Sequence, residues 1–135
     1  MILVTGGAGY VGSHYVRREI QRGRDLLVLD NLSRGHREAV GDARVVVGDV
    51  RDRALLDELF AQHPIEAVVH FAAYAYVGES MQKPADYYDN NVVGTLSLLC
   101  AMRDAGVLVL VFSSSCATYG DPKYHPIDEE HPQQP

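Results

Sequence analysis

Three consecutive serines, Ser113, Ser114 and Ser115, stand just ahead of Tyr119, and Tyr119 is followed four positions later by Lys123. A serine hydroxyl beside a tyrosine made acidic by a lysine is a combination suited to moving a proton on or off an alcohol. The tyrosine–lysine spacing works only on a helix, where residues i and i+4 share a face. Gly120, Asp121 and Pro122 intervene here and read as a turn. None of Tyr10, Tyr15, Tyr74, Tyr76, Tyr87, Tyr88 and Tyr124 has a lysine four residues on. The stretch 112–123 is therefore expected to offer hydroxyls without a paired base. At a strand end such hydroxyls serve loop backbone as readily as chemistry.

A second chemistry-bearing set lies near the amino terminus, where T-G-G-A-G-Y-V-G (5–12) puts Gly6, Gly9 and Gly12 between an apolar run and a helical pattern. Glycine at these places lets the chain turn tightly, lets a pyrophosphate approach the backbone and lets the helix pack closely on its strand. The helix start then offers free N–H groups and the positive end of its dipole. Asp30, at the end of the second apolar run, lies near the offset of about 20 residues expected of a ribose-binding acid. The combination predicts dinucleotide binding, with NAD favoured over NADP because a carboxylate repels a 2′-phosphate. Arg34 and Arg37 keep the second cofactor open, since an arginine there can bind that phosphate. Asp30 also has a plain reading as a strand-end turn residue. Asp49, in G-D-V-R-D, falls at the carboxyl edge of a third run, where ligands of open α/β folds collect, or is simply a solvated turn residue.

The elements that must hold these groups follow from periodicity. Five short apolar runs, ILVT (2–5), LLVLD (26–30), ARVVVGD (43–49), EAVVHFA (66–72) and LVLVFSS (108–114), read as strands covered on both faces. Tyr10 to Arg22 reads as a helix with Val11, Val16 and Ile20 inward and Gly23 ending it. Asp52 is the expected N-cap of a helix over 53–62 that turns Leu55, Leu56, Leu59 and Phe60 inward and stops at Pro64. The longest helix is expected from near Pro84 to about Ala105, with Gly106 as terminator. Alternating strands and helices predict an α/β fold, a Rossmann-type doubly wound parallel sheet of about five strands in the order 3-2-1-4-5, incomplete at the carboxyl end. Residues 1–120 form the expected nucleotide-binding domain, and 121–135 a loop rich in proline and acid with no core to offer.

Composition narrows the partners. With 135 residues, 47% of them hydrophobic, the chain has the makings of one core, burying roughly two thirds of its unfolded surface. A formal charge of -6 and scattered Lys and Arg argue against nucleic acid and anionic membrane surfaces. No apolar run approaches the ~20 residues of a span, and MILVTGGAGY lacks the marks of a signal peptide, so a cytoplasmic protein is expected. Cys100 and Cys116 read as free thiols, and neither the cysteines nor the six histidines have metal-ligand spacing.

The spacing G-x-x-G-x-x-G resembles that of the extended branch of the short-chain dehydrogenase/reductase superfamily. LDNLSRGHREAV (29–40), HFAAYAYVGES (70–80), YYDNNVVGT (87–95) and FSSSCATYG (112–120) look closely like the UDP-glucose 4-epimerase family. That resemblance implies that Tyr10 and Val11 lie along the NAD pyrophosphate. Asp30, Asn31, Leu32, Ser33, Arg34 and Gly35 would surround the adenosine ribose, and Asp49 with Val50 would meet the adenine. Phe71, Ala72 and Ala73 would border the nicotinamide half, with Asn90 also reaching the cofactor. Ser115 matches the family serine that hydrogen-bonds the reacting oxygen. Ala75 replaces a lysine that some members carry, and Ala117 stands where threonine is frequent, with Thr118 next to it.

The implied reaction is epimerisation at C4 of a UDP-hexose, interconverting UDP-glucose and UDP-galactose, by hydride transfer to bound NAD and back. The resemblance also puts the catalytic tyrosine–lysine helix, a sixth strand and a UDP-sugar domain beyond Pro135, so these residues read as the amino-terminal part of such an enzyme, inactive alone. It further implies a homodimer through the 84–105 helix. Two alternatives stand beside it: another nucleotide-sugar epimerase of the superfamily, and a non-catalytic NAD-binding module.

Overall fold

The computed structural model describes residues 1–135. Its most continuous apolar run becomes the best-covered strand: β2 (Leu26–Asp30) is buried at all five residues. It lies between β1 (Ile2–Thr5) and β3 (Arg44–Val47), while β4 (Ala67–His70) flanks β1 on the other side and β5 (Val109–Phe112) closes the order 3-2-1-4-5. All pairings are parallel, with Thr5 opposite Leu29 and His70, so the carboxyl ends of β1, β2 and β4 lie level.

Because side chains alternate across a strand, each face of the sheet builds its own core. Leu3, Leu27, Leu29 and Val68 pack with Leu56 and Leu59 of α2 (Arg53–Gln62) and with Leu98, Ala101 and Met102. Val4 and Val28 pack on the opposite face with Val16 of α1 (Tyr10–Gln21) and with Val40, in a short turn of helix over Arg37–Val40. Asp52 caps α2 as expected, its carboxylate accepting from the Leu55 N–H at 3.1 Å.

In α1 the structure corrects the expected inward face. Val16 is fully buried, but Val11 is 59% exposed and Ile20 is at the surface. The buried stripe is Gly12, Ser13, Val16 and Glu19. Small residues let the helix start press against the glycine loop, and Glu19 is neutralised by Arg22 at 2.9 Å.

The long helix over 84–105 exists as a path but not as one regular helix. Pro84–Tyr87 forms α4, the chain widens into a π-helical turn over Tyr88–Val93, and α5 resumes at Gly94–Asp104. A helical wheel of period 3.6 carries no sign of that extra width. Met102 is buried, whereas Tyr88, Val92, Leu96 and Leu99 lie exposed along the outside. A short helix, α3 (Val77–Gln82), precedes them with no buried residue and without a periodic signal in the sequence. The 121–135 segment, expected to have nothing to pack, buries His131 between the rings of Tyr119 and Tyr124 at 5.5 and 4.7 Å.

Candidate functional site

The chain folds three loops against one another over the level carboxyl ends of β1, β2 and β4. The first joins β1 to α1. At Gly6 the backbone takes φ +69°, and a Cβ there would lie 2.5 Å from the Ala72 nitrogen, so the loop after β1 touches the loop after β4 directly. At Gly12 a Cβ would stand 2.3 Å from the Gly6 carbonyl oxygen, which fixes how closely α1 approaches. The N–H groups of Tyr10, Val11 and Gly12 donate to no carbonyl, leaving the helix start free to meet an anion.

The second loop follows β2. Asp30 accepts from the Ala8 N–H through Oδ2 and from the Leu32 N–H through Oδ1, both at 2.9 Å. The turn reading of Asp30 and the ligand reading therefore coexist, since each carboxylate oxygen keeps a further acceptor site. The His36 N–H donates to the Ala8 carbonyl at 3.0 Å, and Gly35 lies so close to Ala8 that a Cβ would meet it at 2.9 Å. Asn31 donates to Asp49 at 2.8 Å and accepts from Ser33. Arg51 also binds Asp49, at 2.7 Å, and holds its carboxyl well below the ordinary carboxylate range.

Together these loops wall an open cleft. Its lining includes Gly6 and Gly9 from the first loop, Asp30, Asn31, Ser33, Arg34 and Gly35 from the second, Phe71, Ala72 and Ala73 from the loop after β4, and Val50 and Asn90. Of the expected cofactor residues, five lie off this lining. Tyr10 and Val11 stand exposed at the start of α1, Gly12 is buried beneath it, Leu32 faces the α1 side of the core and Asp49 is turned to Arg51. Tyr74, Leu29 and Gly48 line the cleft without having been expected. Gly48 and Leu29 could have been found from their places at strand ends, but Tyr74 is positioned by Asn91, whose side chain bonds both its N–H and its carbonyl.

Beneath the cleft a polar chain crosses the buried end of the sheet. The Thr95 hydroxyl donates to the Asn91 carbonyl at 2.6 Å, so it accepts from His70 Nε2 at 3.0 Å. This leaves His70 Nδ1 to accept from the Thr5 hydroxyl at 2.5 Å, which assigns a neutral Nε2–H imidazole. Burial pushes the His70 pKa down to about 4. A histidine in an otherwise apolar buried strand was the signal for this network.

Ser115 lies apart from the cleft lining. It is exposed, and its hydroxyl accepts from the Ala117 N–H at 3.1 Å, capping a helical turn over Cys116–Tyr119. Gly120, at φ +63°, ends that turn, so Tyr119 and Lys123 share no helix. The Thr118 hydroxyl lies 3.4 Å from that of Ser114, while its N–H donates to the Ser115 carbonyl at 3.2 Å.

A β1–glycine loop–α1 unit answered by an acid at the end of β2, on a parallel sheet of order 3-2-1-4-5, defines a Rossmann-type nucleotide-binding fold. Residues 2–135 match the NAD dependent epimerase/dehydratase family, and the chain belongs to it. It is 55% identical over 135 residues to a UDP-glucose 4-epimerase of Lactobacillus helveticus, covering 99% of this chain and 41% of that protein. The crystal structure of UDP-glucose 4-epimerase from Brucella ovis in complex with NAD is 50% identical, with a TM-score of 0.90 over 99% of this chain and 41% of that one. The UDP-glucose 4-epimerase from Bifidobacterium longum in complex with NAD+ and UDP is 40% identical, with a TM-score of 0.90 over 98% and 42%. The chain thus spans well under half the length of these relatives.

Proposed function

We propose that this chain binds NAD in the cleft and is the cofactor-binding part of an enzyme that epimerises C4 of a UDP-hexose, interconverting UDP-glucose and UDP-galactose. The observation that carries the reading is the helix start with free N–H groups at Tyr10, Val11 and Gly12 above a loop that has no Cβ at Gly6 or Gly9, facing Asp30. Free N–H groups at a helix start beside glycines are the kind of cradle that receives a pyrophosphate. Identity of 55% to a UDP-glucose 4-epimerase supports the reaction class.

Bound NAD would supply the acceptor and then the donor of a hydride. In this reading Tyr10, Val11 and Gly12 hold the pyrophosphate, Asp30 to Gly35 the adenosine ribose, and Asp49 with Val50 the adenine end. Phe71, Ala72 and Ala73 exclude water beside the nicotinamide, and Asn90 also reaches the cofactor. Ser115 orients the reacting hydroxyl, giving up its bond to the Ala117 N–H when substrate is present. Within these residues no tyrosine stands over a lysine on one helix, so we assign the 135-residue polypeptide cofactor binding without turnover. Residues 1–120 are the cofactor domain and 121–135 a connecting segment. No helix is long and apolar enough to cross a membrane, and we place the protein in the cytoplasm. The exposed row of Tyr88, Val92, Leu96 and Leu99 supports a homodimer with these faces together.

Calorimetric titration of the 135-residue chain with NAD, alongside a coupled assay of UDP-galactose conversion by the full-length protein, tests this. Binding by the chain with epimerase activity in the full-length protein is expected. Binding without activity in either would move the assignment to a non-catalytic NAD module, and no binding would overturn it.

A further inference from the structure

Arg34 sits on the cleft wall beside the proposed ribose site, yet its guanidinium is committed elsewhere. It forms an ion pair with Glu79 of α3, with both side chains about one third exposed. Its Cζ lies 4.3 Å from the Tyr74 ring centre and 5.0 Å from that of Tyr76. Glu79 is held in turn: Tyr87 Oη bonds its Oε2 at 2.9 Å, and Lys83 Nζ lies 3.8 Å from its Oε1. Tyr87 is pinned by the Tyr76 backbone, accepting from its N–H at 3.1 Å. The loop after β2 and the segment from Tyr74 to Tyr87 are thus fastened around one arginine.

An arginine next to the ribose is what a 2′-phosphate needs, because its planar fork matches phosphate oxygens. Here that fork already faces a carboxylate and two aromatic rings. We propose that Glu79 is a cofactor-specificity residue: by occupying Arg34 it withholds the guanidinium from the 2′-phosphate of NADP, and so acts with Asp30 to select NAD. The role of Asp30 alone is repulsion, and the role of Glu79 is removal of the compensating cation. Without the Glu79 charge, Arg34 loses its counter-anion on the cleft wall, and a phosphate there would find an unpaired guanidinium. Neither Glu79 nor Lys83 lines the cleft, so NAD itself, lacking that phosphate, would bind as before. The inference rests on the reading of the cleft as an NAD site.

The test is calorimetric titration of the full-length protein with NAD and with NADP, for the unaltered protein, Glu79→Gln, and Glu79→Gln combined with Arg34→Leu. Glu79→Gln is expected to tighten NADP about ten-fold, the effect of one half-exposed charge-assisted contact, and to leave the Kd for NAD within about two-fold. The double variant returns NADP to its starting affinity. Should Glu79→Gln fail to fold, Glu79→Ala, which removes the same charge, carries the same expectation. An unchanged NADP-to-NAD ratio in a variant that still binds NAD overturns the proposal, as does a gain in NADP affinity that survives removal of Arg34. Loss of NAD binding by the unaltered protein would instead overturn the reading of the cleft.

Discussion

The middle of the sheet's carboxyl edge and its β5 end are built in opposite ways. Around β1 and β2 the loops are locked by hydrogen bonds from Ala8, Leu32 and His36 and by contacts that leave no room for a Cβ. Around β5 the strand lies open, with Val111 57% and Phe112 53% exposed, and Ser115 does no more than cap a turn. A cofactor half that is assembled in advance spends little on ordering when it binds. An open half, here the one proposed to hold the reacting hydroxyl, is left with groups still to be ordered. Specific changes in each half should separate these two designs.

The largest expected effect belongs to the locked half. Gly12→Ala would set a methyl 2.3 Å from the Gly6 carbonyl and 2.8 Å from the Gly7 Cα, both backbone atoms. Nothing there can rotate away, so α1 must move off its strand. Overpacking of this kind costs about 3 kcal/mol, and displacement of the helix start is expected to weaken NAD binding about a hundred-fold. Thermal unfolding and calorimetry measure the two losses. Binding that survives Gly12→Ala would remove the close approach of α1 from the account of the site.

A paired truncation sharpens the same contrast in the core. Leu98 is fully buried on the α2–α5 face, and Leu98→Ala is expected to cost about 3 kcal/mol in urea unfolding. Val111→Ala, on the open strand, should cost under about 1 kcal/mol. Equal losses at the two positions would mean that β5 is as well covered in solution as the core around Leu98.

Most of the locked half was legible in the sequence, because its causes are local. Glycine at 6, 9 and 12 dictates a turn and a close approach within a few residues, and an acid at the end of the next apolar run supplies the carboxylate. Strands β1 and β2 emerged with the expected boundaries for the same reason, since continuous apolar runs admit few alternatives. What stayed hidden depends on contacts between distant segments. The π-helical turn at Tyr88–Val93 brings Asn90 and Asn91 under the cleft, and Tyr74 reaches the lining only through Asn91. The exposure of Val11 and Ile20 was missed because α1 buries small and paired polar residues, a stripe that hydrophobic periodicity does not register.

The His70 network ties both halves together and should be readable through pH. Above about pH 6.5 the imidazole is neutral in the folded and unfolded chain alike. As pH falls from 6.5 toward 4 the unfolded chain takes up a proton that the buried ring refuses, so stability is lost, by at most about 3 kcal/mol. Asp49, held low by Arg51, adds a loss of the same sign only below the ordinary aspartate range, near 3.8. His70→Gln is therefore expected to flatten the stability profile between pH 6.5 and 4 while leaving the acid limb in place. A slope that persists in the variant would assign it to other groups.

The smallest expected effect lies where the sequence offers its most tempting pattern. Tyr119 and Lys123 have the spacing of a proton-transfer pair, but Gly120 breaks the chain direction between them, and Tyr119 is engaged with His131 edge to face at 5.5 Å. If Ser115 alone of this stretch meets the reacting hydroxyl, Ser115→Ala in the full-length protein should lower kcat about a hundred-fold, the usual scale of one positioned proton-transfer contact. Tyr119→Phe, which removes a hydroxyl and keeps the ring, should leave kcat within about two-fold, since no transition-state contact is lost. The pH profile of kcat adds a readout that a packing role cannot move: a base at Tyr119 would shift its limb on substitution, whereas a turn residue would not. A large fall in kcat for Tyr119→Phe, with the limb displaced, would mean that the open half rearranges on covering until Tyr119 and Lys123 share a face, a change that the φ of +63° at Gly120 opposes.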